Sequence, residues 1–212
     1  MSNALRPRAK TRPGTEPVPG ASGARIALGV SGGIAAYKSA EIVRGLKKAG
    51  CDVHVLMTTH AQKFIAPLTL QTLSGNRALC DPWDLGQGPD IQHIALARGL
   101  DAFVVAPATA DVLARMAQGL ADDFLTTFHL AVTAPVLVAP AMNVWMWGHP
   151  ATQTNVDLLR RRGVRVLDPG VGELACGEEG IGRMAEADVV VAETLGLLKK
   201  KARVRLRAVA SS

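Results

Sequence analysis

The chain has 212 residues, 48% hydrophobic and 20% charged, enough apolar length to bury one domain core and far from a disordered or fibrous composition. Its 24 Lys and Arg against 18 Asp and Glu give +6, but residues 1–25 carry a net +4, residues 199–207 a net +6, and the body 26–198 a net −4. The basicity belongs to the ends, and no aromatic lies among those charges, so a nucleic-acid surface built on base stacking is unsupported.

Residues 1–24, with Pro7, Pro13, Pro17 and Pro19 among small and basic residues, read as a disordered extension. From Arg25 short apolar runs alternate with helical patterns: a strand at 25–30, a helix at 34–49 stopped by Gly50, a strand at 52–57. A short helix follows at 67–73, closed by Ser74-Gly75, then a long loop at 76–89 rich in Gly, Pro and Asp. The run 101–106 reads as a buried strand ending at Pro107, followed by helices at 111–118 and 122–131 and a strand at 135–139. A helix at 152–162, a strand at 164–167, a glycine-rich mobile loop at 170–182 and a helix at 185–200 complete the pattern, with 199–212 as a basic tail or linker remnant. Continuous apolar strands separated by helices predict an α/β fold, a Rossmann-like parallel sheet covered on both faces, in one domain over 25–198.

Cys51, Cys80 and Cys176 are odd in number and widely spaced, with no CxxC, which points to a reducing cytoplasmic setting rather than a disulfide framework or zinc site. The five histidines form no HExxH or paired spacing, so no metal is predicted. The most membrane-like stretch, 131–147, is broken by Pro135, Pro140 and Asn143, and no apolar segment follows the amino-terminal charges as a secretory signal would require.

Ligands of parallel α/β sheets sit beyond the carboxyl ends of the strands, so the chemistry is sought there. Ser31-Gly32-Gly33 after the first strand is either a tight turn or a backbone cradle for an anion. Thr58-Thr59-His60 and Pro107-Ala-Thr-Ala-Asp111 follow the next two strands and bring hydroxyls to the same edge. After the fourth comes Pro140-Ala-Met-Asn-Val-Trp-Met-Trp147; Met and Trp usually fill core, yet an Asn among apolar walls can donate its amide N–H to a carboxylate. His93, flanked by Ile91, Ile94 and Leu96, fits either a structural histidine or a base titrating near neutrality. Cys176, beside Gly177, Gly180 and Gly182, is either packing or a thiol on a glycine-rich flap.

In order and wording these segments resemble the FMN-dependent cysteine decarboxylase flavoproteins over residues 25–195. The carrying motifs are Ser-Gly-Gly-Ile-Ala-Ala-Tyr-Lys at 31–38, His-Ile-x-Leu at 93–96, Ala-Pro-Ala-Thr-Ala-Asp at 106–111, Pro-Ala-Met-Asn-x-x-Met-Trp at 140–147 and Ala-Cys-Gly-x-x-Gly-x-Gly-Arg-Met at 175–184. The nearest likeness is to the members that serve coenzyme A biosynthesis. The resemblance implies FMN as cofactor, touched by Gly32, Gly33, Ile34, Thr58, Thr59, His60, Thr109, Ala110, Asp111 and Ala141. It implies His93 as the base, Asn143 as the carboxylate ligand and Cys176 as the proton donor. The implied substrate is N-(4′-phosphopantothenoyl)cysteine and the product 4′-phosphopantetheine. Direct loss of CO2 would leave a carbanion on Cα with no electron sink, whereas transient oxidation of the thiol to a thioaldehyde places C=S β to the carboxylate, and re-reduction restores the thiol.

The family assembles as trimers or dodecamers of trimers, so a homo-oligomer is implied. A phosphopantothenate–cysteine ligase, fused or separate, is the implied partner, with no nucleic acid and no membrane. Two alternatives share the fold: an oxidative peptidyl-cysteine decarboxylase, which needs no donor cysteine, and a non-catalytic flavin-binding regulatory subunit, from which a catalytic residue has been lost. The presence of His93, Asn143 and Cys176 together disfavours both. With a body of net −4, phosphates must be met by local donors, and Lys38 and Arg183 are the basic candidates within the motifs.

Overall fold

The computed structural model describes residues 21–80, 92–173 and 177–210. Five parallel strands form one sheet: β1 (Arg25–Val30), β2 (Asp52–Met57), β3 (Ala102–Ala108), β4 (Val136–Pro140) and β5 (Arg165–Val166), in spatial order β2-β1-β3-β4-β5. Beyond β2, Leu79 extends the edge, donating its N–H to the Val55 carbonyl and accepting from the Met57 N–H, each at 2.8 Å. The predicted Rossmann-like α/β fold is the observed one.

The period-2 alternation of each strand divides the core. Ile26, Leu28 and Val30 of β1, with Val53, Val55, Val104 and Leu137, face one side. There they meet Ile42, Val43 and Leu46 of α1 (Lys38–Lys48), Leu70 of α2 (Pro67–Ser74) and Val190 and Leu198 of α8 (Ala187–Ala210). Ala27, Phe103, Val105 and Val138 face the other side, against α4 (Ala110–Gln118), α5 (Phe124–Ala131) and α7 (Pro150–Arg161). Phe103 meets Phe128 edge-on with ring centroids 5.1 Å apart, and burying each such ring contributes about 1.5–3 kcal/mol. Gly29 lets α5 approach this closely, since a Cβ there would sit 2.9 Å from Leu125 Cδ1 and 3.3 Å from Phe103 Cε2.

Several elements depart from expectation. The helix predicted at 34–49 begins as a 3-10 turn (Ile34–Tyr37) and becomes α-helical only at Lys38. β3 does not end before Pro107 but runs through it to Ala108, with a cis Ala106–Pro107 bond. Two short helices went unpredicted: α3 (Gln92–Ala97), which carries His93, and α6 (Val144–Gly148). Residues 170–182 are not simply a loop, because β6 (Gly170–Glu173) pairs antiparallel with β7 (Glu179–Arg183). Helix α8 continues to Ala210, so residues 199–210 of the basic tail are helical. At the other end, Ala21 and Ala24 are buried in the core, and the Asp52 N–H donates to the Ala24 carbonyl at 2.8 Å; these residues of the expected extension are packed.

Candidate functional site

The strand order reverses between β1 and β3. The chain after β1 crosses to one face of the sheet and the chain after β3 to the other, so a crevice opens between the two exits, where open α/β sheets bind ligands. A cleft of about 850 Å³ lies there, lined by Gly32, Gly33, Ile34, Thr109 and Ala110 from the two exits and by Ala141, Met142 and Asn143 after β4. That volume falls within the range of about 300–1,000 Å³ usual for cofactor and small-ligand clefts.

Local sequence fixes the two exits against each other. Ser31, fully buried, donates its hydroxyl to the Pro107 carbonyl at 2.8 Å and accepts from the Thr109 N–H at 3.1 Å. Ser39 Oγ donates to the Ala106 carbonyl at 2.9 Å, so serines from the β1 side satisfy the carbonyls of the bend in β3. Thr109 is the N-cap of α4, its Oγ1 accepting from the Val112 N–H. Gly32 is required by close approach: a Cβ there would fall 2.3 Å from His60 Cβ and 2.8 Å from the His60 carbonyl carbon. Gly33 is extended, at φ −164° and ψ 164°, and opens on the cleft.

The β6–β7 hairpin lies against the segment after β4. The Met142 N–H donates to the Gly182 carbonyl at 3.0 Å. A Cβ on Gly182 would meet the Met142 carbonyl oxygen at 2.3 Å, and one on Gly180 would meet Val144 Cγ2 at 2.9 Å. The glycines of this segment therefore serve backbone contact as much as freedom. Asn143 is the N-cap of α6, its Oδ1 accepting from the Trp145 N–H at 2.8 Å while its Nδ2 donates to the Glu178 carboxylate. The Trp145 indole N–H donates to the other oxygen of the same carboxylate at 3.2 Å.

Two cations line the same cleft. Lys38, only 5% exposed, donates through Nζ to Glu186 at 2.8 Å, and Arg183 pairs with the other Glu186 oxygen at 3.1 Å. The Lys38 hydrogen bond holds the Glu186 carboxyl below its ordinary value, partly opposed by desolvation. A buried ammonium and a guanidinium against one carboxylate leave a net positive rim in an otherwise acidic body, suited to an anionic group.

Of the residues singled out in the sequence, Gly32, Gly33, Ile34, Thr109, Ala110, Ala141 and Asn143 converge on the cleft. Thr58, Thr59, His60 and Asp111 are not among its lining residues. Thr58 Oγ1 accepts from the Ala61 N–H at 3.1 Å, His60 backs Gly32, and Asp111 is taken up by Arg115 at 2.9 Å. The His93 side chain and Cys176 lie outside the described residues. Sequence reasoning missed Tyr37, Met146 and Met184 as lining residues, although each stands inside a motif it had singled out. Among the described residues no group of His, Cys, Asp and Glu is gathered to hold a metal ion, and no helix is long and apolar enough to cross a membrane.

The Flavoprotein family model matches residues 19–199. The coenzyme A biosynthesis bifunctional protein CoaBC of Vibrio vulnificus (strain YJ016) is 48% identical over 171 residues, 81% of this chain and 43% of that protein. CoaBC of Escherichia coli (strain K12) is 46% identical over 170 residues, 80% of this chain and 42% of its own length. The chain thus spans less than half the length of these curated relatives. Among solved structures, a PPC decarboxylase cysteine-to-serine mutant complexed with pantothenoylaminoethenethiol has a TM-score of 0.75 at 30% identity, covering 84% of this chain and 99% of that one. The FMN-dependent cysteine decarboxylase SpaF has a TM-score of 0.74 at 30% identity, covering 84% of this chain and 98% of that one. With the family model spanning the whole sheet and the cleft at its switch point, the chain belongs to the Flavoprotein family.

Proposed function

We propose that the chain is an FMN-dependent decarboxylase that converts N-(4′-phosphopantothenoyl)cysteine into 4′-phosphopantetheine. The observation that carries this reading is Asn143: on the rim of the switch-point cleft, its amide N–H already holds a carboxylate. The similarity to PPC decarboxylase and to CoaBC supplies the substrate class.

The residues present fit FMN. Gly33, Ala110 and Ala141 leave room for a flat ring beside the Gly32 backbone, Ile34 and Met142 give it apolar walls, and Thr109 adds a polar group at the base of α4. We assign cofactor contact to Gly32, Gly33, Ile34, Thr109, Ala110 and Ala141, with Thr58, Thr59, His60 and Asp111 completing the set the family resemblance implies. When bound, FMN supplies a two-electron acceptor for a hydride that is later returned.

The protein's own groups do the rest. Asn143 holds the substrate carboxylate by a neutral hydrogen bond, which fixes its orientation without the fixed cation that would oppose loss of CO2. His93, on α3, takes the thiol proton, and Cys176 delivers a proton to Cα of the enethiolate after CO2 has left. Lys38 and Arg183 supply positive charge on the rim for a phosphate or carboxylate.

This reading places the protein in the cytoplasm as a homo-oligomer, a trimer or a dodecamer of trimers. Exposed Ile34 and Tyr37 on the cleft rim favour burial against another subunit. A phosphopantothenate–cysteine ligase, fused or separate, supplies the substrate. The test is CO2 release from phosphopantothenoylcysteine by the FMN-loaded protein. Wild type releases it and Asn143→Ala falls by at least about 100-fold; a flavin-loaded wild type that releases none overturns the reading.

A further inference from the structure

We propose that the Trp145 indole N–H is the second donor of the carboxylate site and that Glu178 is its built-in, exchangeable occupant. The inference rests on the decarboxylase reading and deepens it. Asn143 Nδ2 and Trp145 Nε1 come from the same first turn of α6, and both point at one group, the two oxygens of the Glu178 carboxylate. Two neutral N–H donors, one to each oxygen, form the recognition geometry for a carboxylate. Trp145 is held to this task by its backbone, since its own N–H caps onto Asn143 Oδ1 at 2.8 Å and fixes the two side chains relative to each other.

The environment of Trp145 favours a polar task over a packing one. Trp145 is 75% exposed, whereas Trp147, two residues on, is buried in the core. A large indole left on the surface contributes little to folding, so what distinguishes it is the direction of its N–H.

Glu178 belongs to the hairpin segment, immediately before β7, and its contact with Asn143 joins that segment to the one after β4. An internal carboxylate in this position competes with an incoming one at the millimolar effective concentration of a tethered group. A substrate carboxylate must displace Glu178 to reach Asn143. Ligands without a carboxylate gain nothing from that exchange, so the pair acts as a filter for the acid over its decarboxylated product. Product release is thereby favoured, because Glu178 returns to its donors once CO2 has gone.

The test uses calorimetric titration of the FMN-loaded protein with S-methyl phosphopantothenoylcysteine, whose blocked thiol prevents turnover, and with S-methyl 4′-phosphopantetheine, which lacks the carboxylate. Trp145→Phe keeps an exposed ring and loses only the N–H; it weakens binding of the acid by about tenfold and leaves the descarboxy ligand unchanged. Glu178→Gln tightens binding of the acid by about three- to tenfold, again without effect on the descarboxy ligand. Variants that shift both ligands equally, or neither, overturn the proposal. A wild type that discriminates between the ligands but releases no CO2 from the free thiol substrate overturns the decarboxylase reading alone. A wild type that turns over while neither substitution changes binding of the acid relative to the descarboxy ligand overturns this inference alone.

Discussion

Ser31 and Thr109, at the exits of β1 and β3, are joined by one buried hydroxyl: Ser31 Oγ accepts from the Thr109 N–H at 3.1 Å while donating to the Pro107 carbonyl at 2.8 Å. The two walls of the cleft are therefore set by the same atom. Replacing Ser31 by Ala takes the partner from the part-buried Thr109 N–H and leaves the Pro107 carbonyl with only the Ser31 N–H at 3.3 Å, at a cost of about 1–2 kcal/mol. Urea unfolding of Ser31→Ala shows a lower midpoint with an unchanged slope; an unaltered midpoint removes the clamp from the account.

Gly32 and Gly33 are adjacent and answer to different demands. Alanine at Gly32 places Cβ 2.3 Å from His60 Cβ, so Gly32→Ala loses about 1–3 kcal/mol of stability as the His60 loop is pushed away. Alanine at Gly33 meets nothing nearer than Thr109 Cγ2 at 3.6 Å, and its extended backbone accepts any residue. Gly33→Ala keeps its melting temperature and loses flavin affinity, read as bound yellow chromophore after gel filtration. Equal melting temperatures for the two variants contradict the distinction.

The Lys38–Glu186 pair gives a signed pH dependence. Glu186 is held below its ordinary value of 4.5, so its contribution to stability is complete above that pH and is lost as pH falls through the lowered folded value. Its carboxylate is largely exposed, and screening keeps the effect small. Glu186→Gln flattens the decline in stability of the acid limb below pH 4.5, measured by thermal melts across pH. A variant with the wild-type acid limb assigns that decline elsewhere.

His129 carries a second. Burial, reinforced by the positive charge of Arg162, pushes its pKa below 6.5, and its Nδ1 has no hydrogen-bond partner among the described residues. The neutral ring is favoured when folded, so stability is complete above pH 6.5 and falls as the pH drops below it toward the lowered folded value. His129→Phe, which keeps a ring beside Phe103, removes that slope. Persistence of the slope in the variant contradicts this assignment.

The parallel sheet was legible because its strands are apolar runs bounded by turns: the spans expected at 25–30 and 52–57 are those observed for β1 and β2. The hairpin was hidden because Gly170, Gly172, Gly180 and Gly182 carry no side-chain alternation to read, and its role becomes visible only when Met142 and Val144 are seen against it. Helix α6 was hidden by its length, five residues whose Met and Trp mimic core. At the site, Gly32, Gly33, Thr109 and Asn143 stood out because they follow strands. Lys38 could be named but not placed, since its partner Glu186 lies 148 residues away. The Trp145–Glu178 contact was beyond sequence reasoning for the same reason: nothing local marks which carboxylate an indole N–H will meet.

The mass of the product formed from N-(4′-phosphopantothenoyl)cysteine by the FMN-loaded protein under anaerobic conditions decides whether this chain is a non-oxidative decarboxylase. The expected product is 4′-phosphopantetheine, the substrate less CO2 alone, with the flavin returned to its oxidised state. A product lighter by two further hydrogens, accompanied by reduced flavin, would make the protein an oxidative decarboxylase, and recovery of unchanged substrate would contradict the claim altogether.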